Sequence, residues 1–274
     1  ADRAMADSGN PPRWVQRTLQ DGSAPAAPRP MIRELEGLTN LVVKQSRRGW
    51  LQECFGCEAK TVFRVAKSDA PRDFLFYVEE ESNCCLRLCC APIRPWTSTM
   101  SVGDKAGGEA LVEYRRPLRC APGALKCCCF QEVSVTDVRS GAPLGLVKER
   151  PYCCVPTLAV YDPTAERMLY KVRQPTVCFG CCVNACDSRG GGCCKVPFYL
   201  YPPGENEPAG HVVKAWGGWR TEVLTDADTF ELEAPQGASS ADVAVLVGAT
   251  LLINELYFEF YTAGEGDEGG TSML

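Results

Sequence analysis

Apolar and polar residues alternate along much of the middle of the chain. Val133, Val135 and Val138 are interleaved with polar residues within Phe130–Val138, a near period-2 pattern that predicts a strand with one buried face. Thr157–Tyr161 and Met168–Val172 flank the turn sequence Asp162-Pro163-Thr164-Ala165 and predict a hairpin. Phe198–Tyr201 and His211–Trp216 flank Pro202-Pro203-Gly204-Glu205-Asn206 and predict a second hairpin. Turn residues recur often, and no long amphipathic helix is visible before residue 240. Short, regularly spaced strands of this kind indicate a mainly β protein, a barrel or a sandwich.

The pattern changes near residue 240. Val243–Ile253 is an uncharged run of 11 residues, with Asp242 before it as the predicted N-cap. Apolar character continues to Tyr261 but now includes Asn254, Glu255 and Glu259. A membrane span needs about 20 mostly apolar residues, and runs of about 10–14 are more often core helices. Glu255 and Glu259 would share one helix face, and a carboxylate in hydrocarbon costs a few kcal/mol. The segment therefore reads as a helix threaded into the β-domain, with a single-pass anchor as the alternative. Residues 1–30 read as a Pro-containing flexible arm and 264–274 as an acidic, Gly-rich tail. The folded domain is expected over 31–261.

Two spacings echo within the domain. Arg115-Arg116-Pro117-Leu118-Arg119-Cys120 and Arg173-Gln174-Pro175-Thr176-Val177-Cys178 share R-x-P-x-x-C. Glu80 to Cys85 and Glu149 to Cys154 share E-x-x-x-C-C. The order is the same in both units, which predicts a structural pseudo-repeat with unequal loops.

Composition adds one outlier. There are 18 cysteines, and 13 of them lie in adjacent clusters. Neighbouring cysteines rarely bridge each other, and a secreted disulfide scaffold is usually smaller and more regular. With no secretory segment visible, the expected setting is reducing and cytosol-facing. As ligands, Cys54-x-x-Cys57 with Cys178-x-x-Cys181 has zinc-like spacing. As S-acylation targets, Cys127, Cys128 and Cys129, between Lys126 and Phe130, fit best, because two or more acyl chains give stable anchoring.

Other chemistry is thinly represented. The net charge of −5 gives no general case for nucleic-acid binding. The single histidine, His211, has no partner motif and reads as structural. No HExxH, Walker A or nucleophile-elbow sequence occurs. The stretch Asp226–Gly237 carries four carboxylates in eight positions, which can offer oxygen ligands to Ca²⁺, although it is not an EF-hand by pattern.

Several of these segments together resemble the phospholipid scramblase family. Glu81-Ser82-Asn83-Cys84-Cys85-Leu86-Arg87-Leu88-Cys89-Cys90 with Arg94-Pro95 is similar to its double-cysteine block. Arg116-Pro117-Leu118-Arg119-Cys120, then Cys127-Cys128-Cys129 and Gln131-Glu132, resembles the block with the family's palmitoylated cluster. Cys178–Cys182, Leu224–Phe230 and Val247–Ile253 resemble its next cysteine block, calcium segment and C-terminal helix. They occur in family order across about 33–261.

The resemblance implies a tubby-like closed β-barrel wrapped around a hydrophobic C-terminal α-helix. It implies ATP-independent, calcium-stimulated, bidirectional movement of phospholipids between leaflets, without covalent chemistry. Calcium-segment positions would fall on Asp226, Asp228, Phe230, Leu232 and Ala234, the last three offering backbone carbonyls. Palmitate would sit on Cys127, Cys128 and Cys129. The expected place is the cytoplasmic face of the plasma membrane, held by lipid anchor, C-terminal helix or both. Expected partners are membrane phospholipids and proteins binding the N-terminal arm. The competing reading is a lipid-anchored adaptor without transport, and a zinc or redox protein comes third.

Overall fold

The computed structural model describes residues 29–47, 61–81, 93–119, 126, 128–175, 195–215 and 228–258. Twelve strands run β1 Asn40–Arg47, β2 Thr61–Lys67, β3 Ala70–Glu81, β4 Trp96–Val102, β5 Ala110–Arg116 and β6 Glu132–Asp137. They continue as β7 Pro143–Glu149, β8 Thr157–Tyr161, β9 Met168–Arg173, β10 Val196–Tyr201, β11 Gly210–Ala215 and β12 Thr229–Glu233. Each pairs with its sequence neighbours, and β1 closes the barrel against β12 through Asn40↔Glu233 to Lys44↔Thr229. All the pairings are antiparallel.

The period-2 pattern explains the wall. On β4 Trp96, Ser98 and Met100 are buried while Thr97, Thr99 and Ser101 are not. On β6 Val133 and Val135 are buried, Ser134 is exposed and Thr136 is partly exposed. Glu113 and Arg115 on β5 are likewise turned away from the core. A membrane-spanning barrel inverts this arrangement, with an apolar band outside and a polar lumen.

The lumen is filled by α1, Ser240–Tyr257, in which all 18 residues are buried. An all-round apolar helix has no polar face to give to solvent, so it is stable only when surrounded. At about 1.5 Å per residue it is roughly 27 Å long, enough to thread the barrel. Side chains such as Leu246, Leu252 and Ile253 are fully buried, each worth about 1.5–3 kcal/mol relative to exposure. Close approach of helix and wall requires glycine at two places. A Cβ on Gly145 of β7 would lie 2.8 Å from Val245 Cγ2 and 2.7 Å from the Tyr161 carbonyl oxygen. One on Gly248 would lie 3.0 Å from the Tyr114 ring. The Tyr114 hydroxyl donates to the Ala244 carbonyl at 3.2 Å, and burial pushes its pKa well above the ordinary value.

The helix begins one turn earlier than the apolar run suggests. Ser239, not Asp242, is the N-cap, and Asp242 is the third helical residue. Their side chains close a reciprocal capping box, Asp242 N to Ser239 Oγ at 3.2 Å and Ser239 N to Asp242 Oδ2 at 2.9 Å. Arg29 pairs with Asp242 at 2.7 Å, and the Ile32 N–H donates to Ser240 Oγ at 3.0 Å. Arg29 and Ile32 thereby tie the first described residues to the first turn of α1.

The predicted hairpins are β8–β9 and β10–β11, and the strand predicted at Phe130–Val138 is β6. β11 starts one residue earlier than expected, and Trp216 lies outside the described residues.

Candidate functional site at the cysteine-bearing rim

In a barrel where each strand is joined to its neighbour, alternate connections share one end. Those that follow β1, β3, β5, β7, β9 and β11 span 48–60, 82–95, 117–131, 150–156, 174–195 and 216–228. By sequence position all 18 cysteines fall in these connections. The opposite end, with connections 68–69, 103–109, 138–142, 162–167 and 202–209, has none. Helix α1 enters at the cysteine-free end, just after β12, and finishes at the cysteine-bearing end.

The inside of that rim is a girdle of buried charges. Glu255, in the last helical turn, accepts from Arg94 Nη1 at 3.0 Å and Arg116 Nη1 at 2.9 Å. Arg94 also pairs with Glu80 at 3.1 Å, and Arg116 donates to Gln131 Oε1 at 2.8 Å. Lys126 pairs with Glu149 at 2.8 Å and Lys214 with Asp228 at 3.0 Å. The Lys214 ammonium sits 4.2 Å from the centre of the Phe258 ring. Four cations thus meet four carboxylates where the helix leaves the core. Breaking one buried pair is costly because a charge is stranded, typically by about 3–5 kcal/mol.

The pseudo-repeat belongs to this girdle. Glu80 and Glu149 lie at or near the ends of β3 and β7, both buried, each facing a cation. Arg116 and Gln174 close or follow β5 and β9, again both buried. The two units are four strands apart, one third of the way round the barrel. On the β7–β10 side several polar atoms lack a hydrogen-bond partner: Glu149 Oε1, both amide atoms of Gln174, Asn254 Oδ1 and the Tyr257 hydroxyl. Burial raises Tyr257 well above its ordinary pKa, and burial with the Glu149 charge pushes Tyr152 up to about 12.

The predicted site residues separate in space. Cys128 is exposed. Cys129 is engaged in a disulfide, so its sulfur is not open to a thioester in this structure. Cys127 lies outside the described residues, as do Asp226 and all four zinc-spaced cysteines, Cys54, Cys57, Cys178 and Cys181. Asp228 is buried and bonded to Lys214, and its carbonyl accepts from Gln45 N at 2.7 Å. Phe230 and Leu232 point into the core from a strand paired on both sides. Positions two apart on a strand are separated by roughly 6.6 Å, so Asp228, Phe230, Leu232 and Ala234 do not converge on one cation. Among the described residues no group of three or more His, Cys, Asp or Glu is placed to hold a metal ion. His211 faces outward and lies 3.2 Å from Glu233.

The charge girdle was not anticipated. Its one visible signal was Glu255 inside an apolar run, because a lone acid there needs cations from elsewhere in the fold.

The family model described as Scramblase matches residues 22–260. The chain belongs to the scramblase family. Phospholipid scramblase 2 of Bos taurus is 28% identical over 252 residues, covering 92% of this chain and 78% of that protein. Phospholipid scramblase 1 of Homo sapiens is 29% identical over 219 residues, 80% of this chain and 63% of that protein. Phospholipid scramblase family member 5 of Homo sapiens is 24% identical over 261 residues, 95% of this chain and 89% of that protein. No solved structure matches the chain. Among the described residues of this scramblase family member, the one helix long and apolar enough to cross a bilayer is enclosed as the core of the closed barrel.

Proposed function

We propose that this scramblase-family protein moves phospholipids between membrane leaflets, in both directions, without ATP and without covalent chemistry. The observation that carries the reading is the family match over residues 22–260. The cysteine-bearing rim supports attachment at that end, through palmitate on the Cys127–Cys128 segment at the cytoplasmic face of the plasma membrane. Two acyl chains suffice for stable anchoring, whereas one is marginal. Calcium stimulation would act through Asp226 and Asp228. An ion there competes with Lys214 for the Asp228 carboxylate, which favours weak affinity.

The adaptor reading has an observation of its own. The apolar helix is enclosed, and the outward strand positions of β4, β5 and β6 are largely polar, so lipid headgroups have no evident path through the barrel. Vesicles with fluorescent headgroup-labelled lipid, quenched from outside with dithionite, separate the two. Scrambling predicts protein-dependent loss of the protected inner-leaflet signal, faster with calcium. Unchanged protection, with and without calcium, leaves the adaptor.

A further inference from the structure

The two units of the pseudo-repeat differ in charge. Arg94-Pro95 leads into β4, and Val155-Pro156 leads into β8. Arg116 ends β5, and Gln174 holds the matching place after β9. The first unit therefore brings two guanidinium groups to the rim, where they meet Glu80, Glu255 and Gln131. The second unit has Val155 and Gln174 at those places but keeps its acid, Glu149.

The oxygens of the second unit are short of positive partners. Glu149 Oε2 accepts from Lys126 at 2.8 Å and from the Gln131 N–H at 3.0 Å, while Oε1 has no partner. Gln174 Oε1 and Nε2, Asn254 Oδ1 and the Tyr257 hydroxyl have none either. Three of these five atoms only accept, the hydroxyl does both, and Gln174 Nε2 alone only donates. The four residues are between 0 and 8% exposed, and buried polar atoms are costly to leave unpaired.

The fold gathers them at one corner. Glu149, Leu158 and Val172 share a row across β7, β8 and β9. Gln174 is the next inward position on β9, and continuing the β9–β10 register sets it opposite Phe198. The Phe198 ring stacks on Tyr257 with centroids 5.6 Å apart. Asn254 and Tyr257 are three positions apart on α1 and share a face. Burial, then Tyr152 and Glu149, raise the Tyr257 hydroxyl, which puts Glu149 within its electrostatic reach.

We propose that Glu149 Oε1, Gln174 Oε1, Asn254 Oδ1 and the Tyr257 hydroxyl bind one small monovalent cation, Na⁺ or K⁺, beside the end of α1. Oxygen donors suit a hard ion, and carbonyl oxygens can replace the water shell of a monovalent one. The cost of dehydration grows with the square of the charge, and the single carboxylate already carries Lys126, so a divalent ion is disfavoured. The ion takes the part that Arg116 plays in the first unit. The site shares no residue with the calcium positions Asp226 and Asp228.

The test uses the full chain, reduced, at constant ionic strength, with N-methyl-D-glucammonium chloride replaced stepwise by NaCl or by KCl. Thermal unfolding is followed by far-UV circular dichroism. At about ten times its dissociation constant one bound ion raises the folding equilibrium about elevenfold, a gain of about 3–6 °C in melting temperature. Gln174→Met should be at least as stable as wild type in the organic ammonium, because an apolar group of similar shape replaces orphaned polar atoms, and should show no gain in Na⁺ or K⁺. Tyr257→Phe removes one oxygen and almost no volume, and should need about tenfold more ion for the same gain. It keeps the test readable if position 174 does not tolerate methionine. A wild-type melting temperature that stays within about 1 °C across all three salts up to about 0.3 M overturns the site. So does a full gain retained in either variant. An equal gain from the same concentration of Ca²⁺, removed by Gln174→Met, overturns the monovalent assignment.

Discussion

Replacing Glu255 by glutamine tests the link between the apolar helix and the charged rim. The amide keeps the shape of the side chain and removes its charge. Arg94 and Arg116, at 3.0 and 2.9 Å, then lose a shared carboxylate in a buried site. Arg94 keeps Glu80 and Arg116 keeps Gln131, so the loss should be partial rather than complete. Stranding a buried charge outright costs about 3–5 kcal/mol, so a partial loss of about 2–3 kcal/mol is expected here. For a domain of this size that lowers the melting temperature by about 4–12 °C. Thermal and urea unfolding followed by far-UV circular dichroism read it directly. Arg116→Met in the Glu255→Gln background should cost less than the sum of the two single changes, because residues in one network couple. The opposite sign is expected of a helix resting in lipid, where removing a carboxylate favours the apolar environment. A Glu255→Gln protein within about 1 kcal/mol of wild type, or strict additivity with Arg116→Met, would refute the reasoning.

Three other outcomes follow from the packing and the rim. Gly145→Ala places a methyl against Val245 and the Tyr161 carbonyl and should cost about 1–3 kcal/mol by overpacking; an unchanged urea midpoint argues against a helix this close to β7. Burial raises the pKa of Tyr114, Tyr170 and Tyr257. The folded state therefore holds protons that the unfolded chain releases near pH 10. Their contribution is intact below about pH 10 and should fall above it by about 1.4 kcal/mol per pH unit for each tyrosine. Tyr114→Phe should flatten that alkaline slope, and equal slopes would count against burial of this hydroxyl. Serine at both Cys127 and Cys128 should move the protein from the membrane to the soluble fraction of cells, and undiminished pelleting would remove acylation there as the anchor.

Local signals in the sequence located the elements that are local in the fold. The β8–β9 hairpin follows from Asp162-Pro163 between two apolar runs, and the structure places the strands at Thr157–Tyr161 and Met168–Arg173. Length and two acids argue against a bilayer span for residues near 243–253, and the structure buries them as core. The cap lies three positions before Asp242, since Ser239 and Asp242 serve each other and either residue alone looks like a cap. Beyond the lone acid Glu255 in an apolar run, the girdle was not legible. Glu255 meets residues 139 and 161 positions earlier, and no spacing rule connects them until the barrel closes. The same holds for Asp228, which reads as a cation ligand in an acidic stretch but meets Lys214 across the β11–β12 connection. The pseudo-repeat was visible as letters. Its physical content, paired buried groups one third of a turn apart, needed the strand order.

The enclosure of α1 is the claim from which the rest follows, and amide hydrogen exchange in the absence of lipid and detergent tests it most directly. A core helix should be among the slowest-exchanging segments of the chain over 243–256, with protection unchanged when phosphatidylserine vesicles are added. Rapid exchange over 243–256 in solution, with protection appearing only on vesicles, would contradict it.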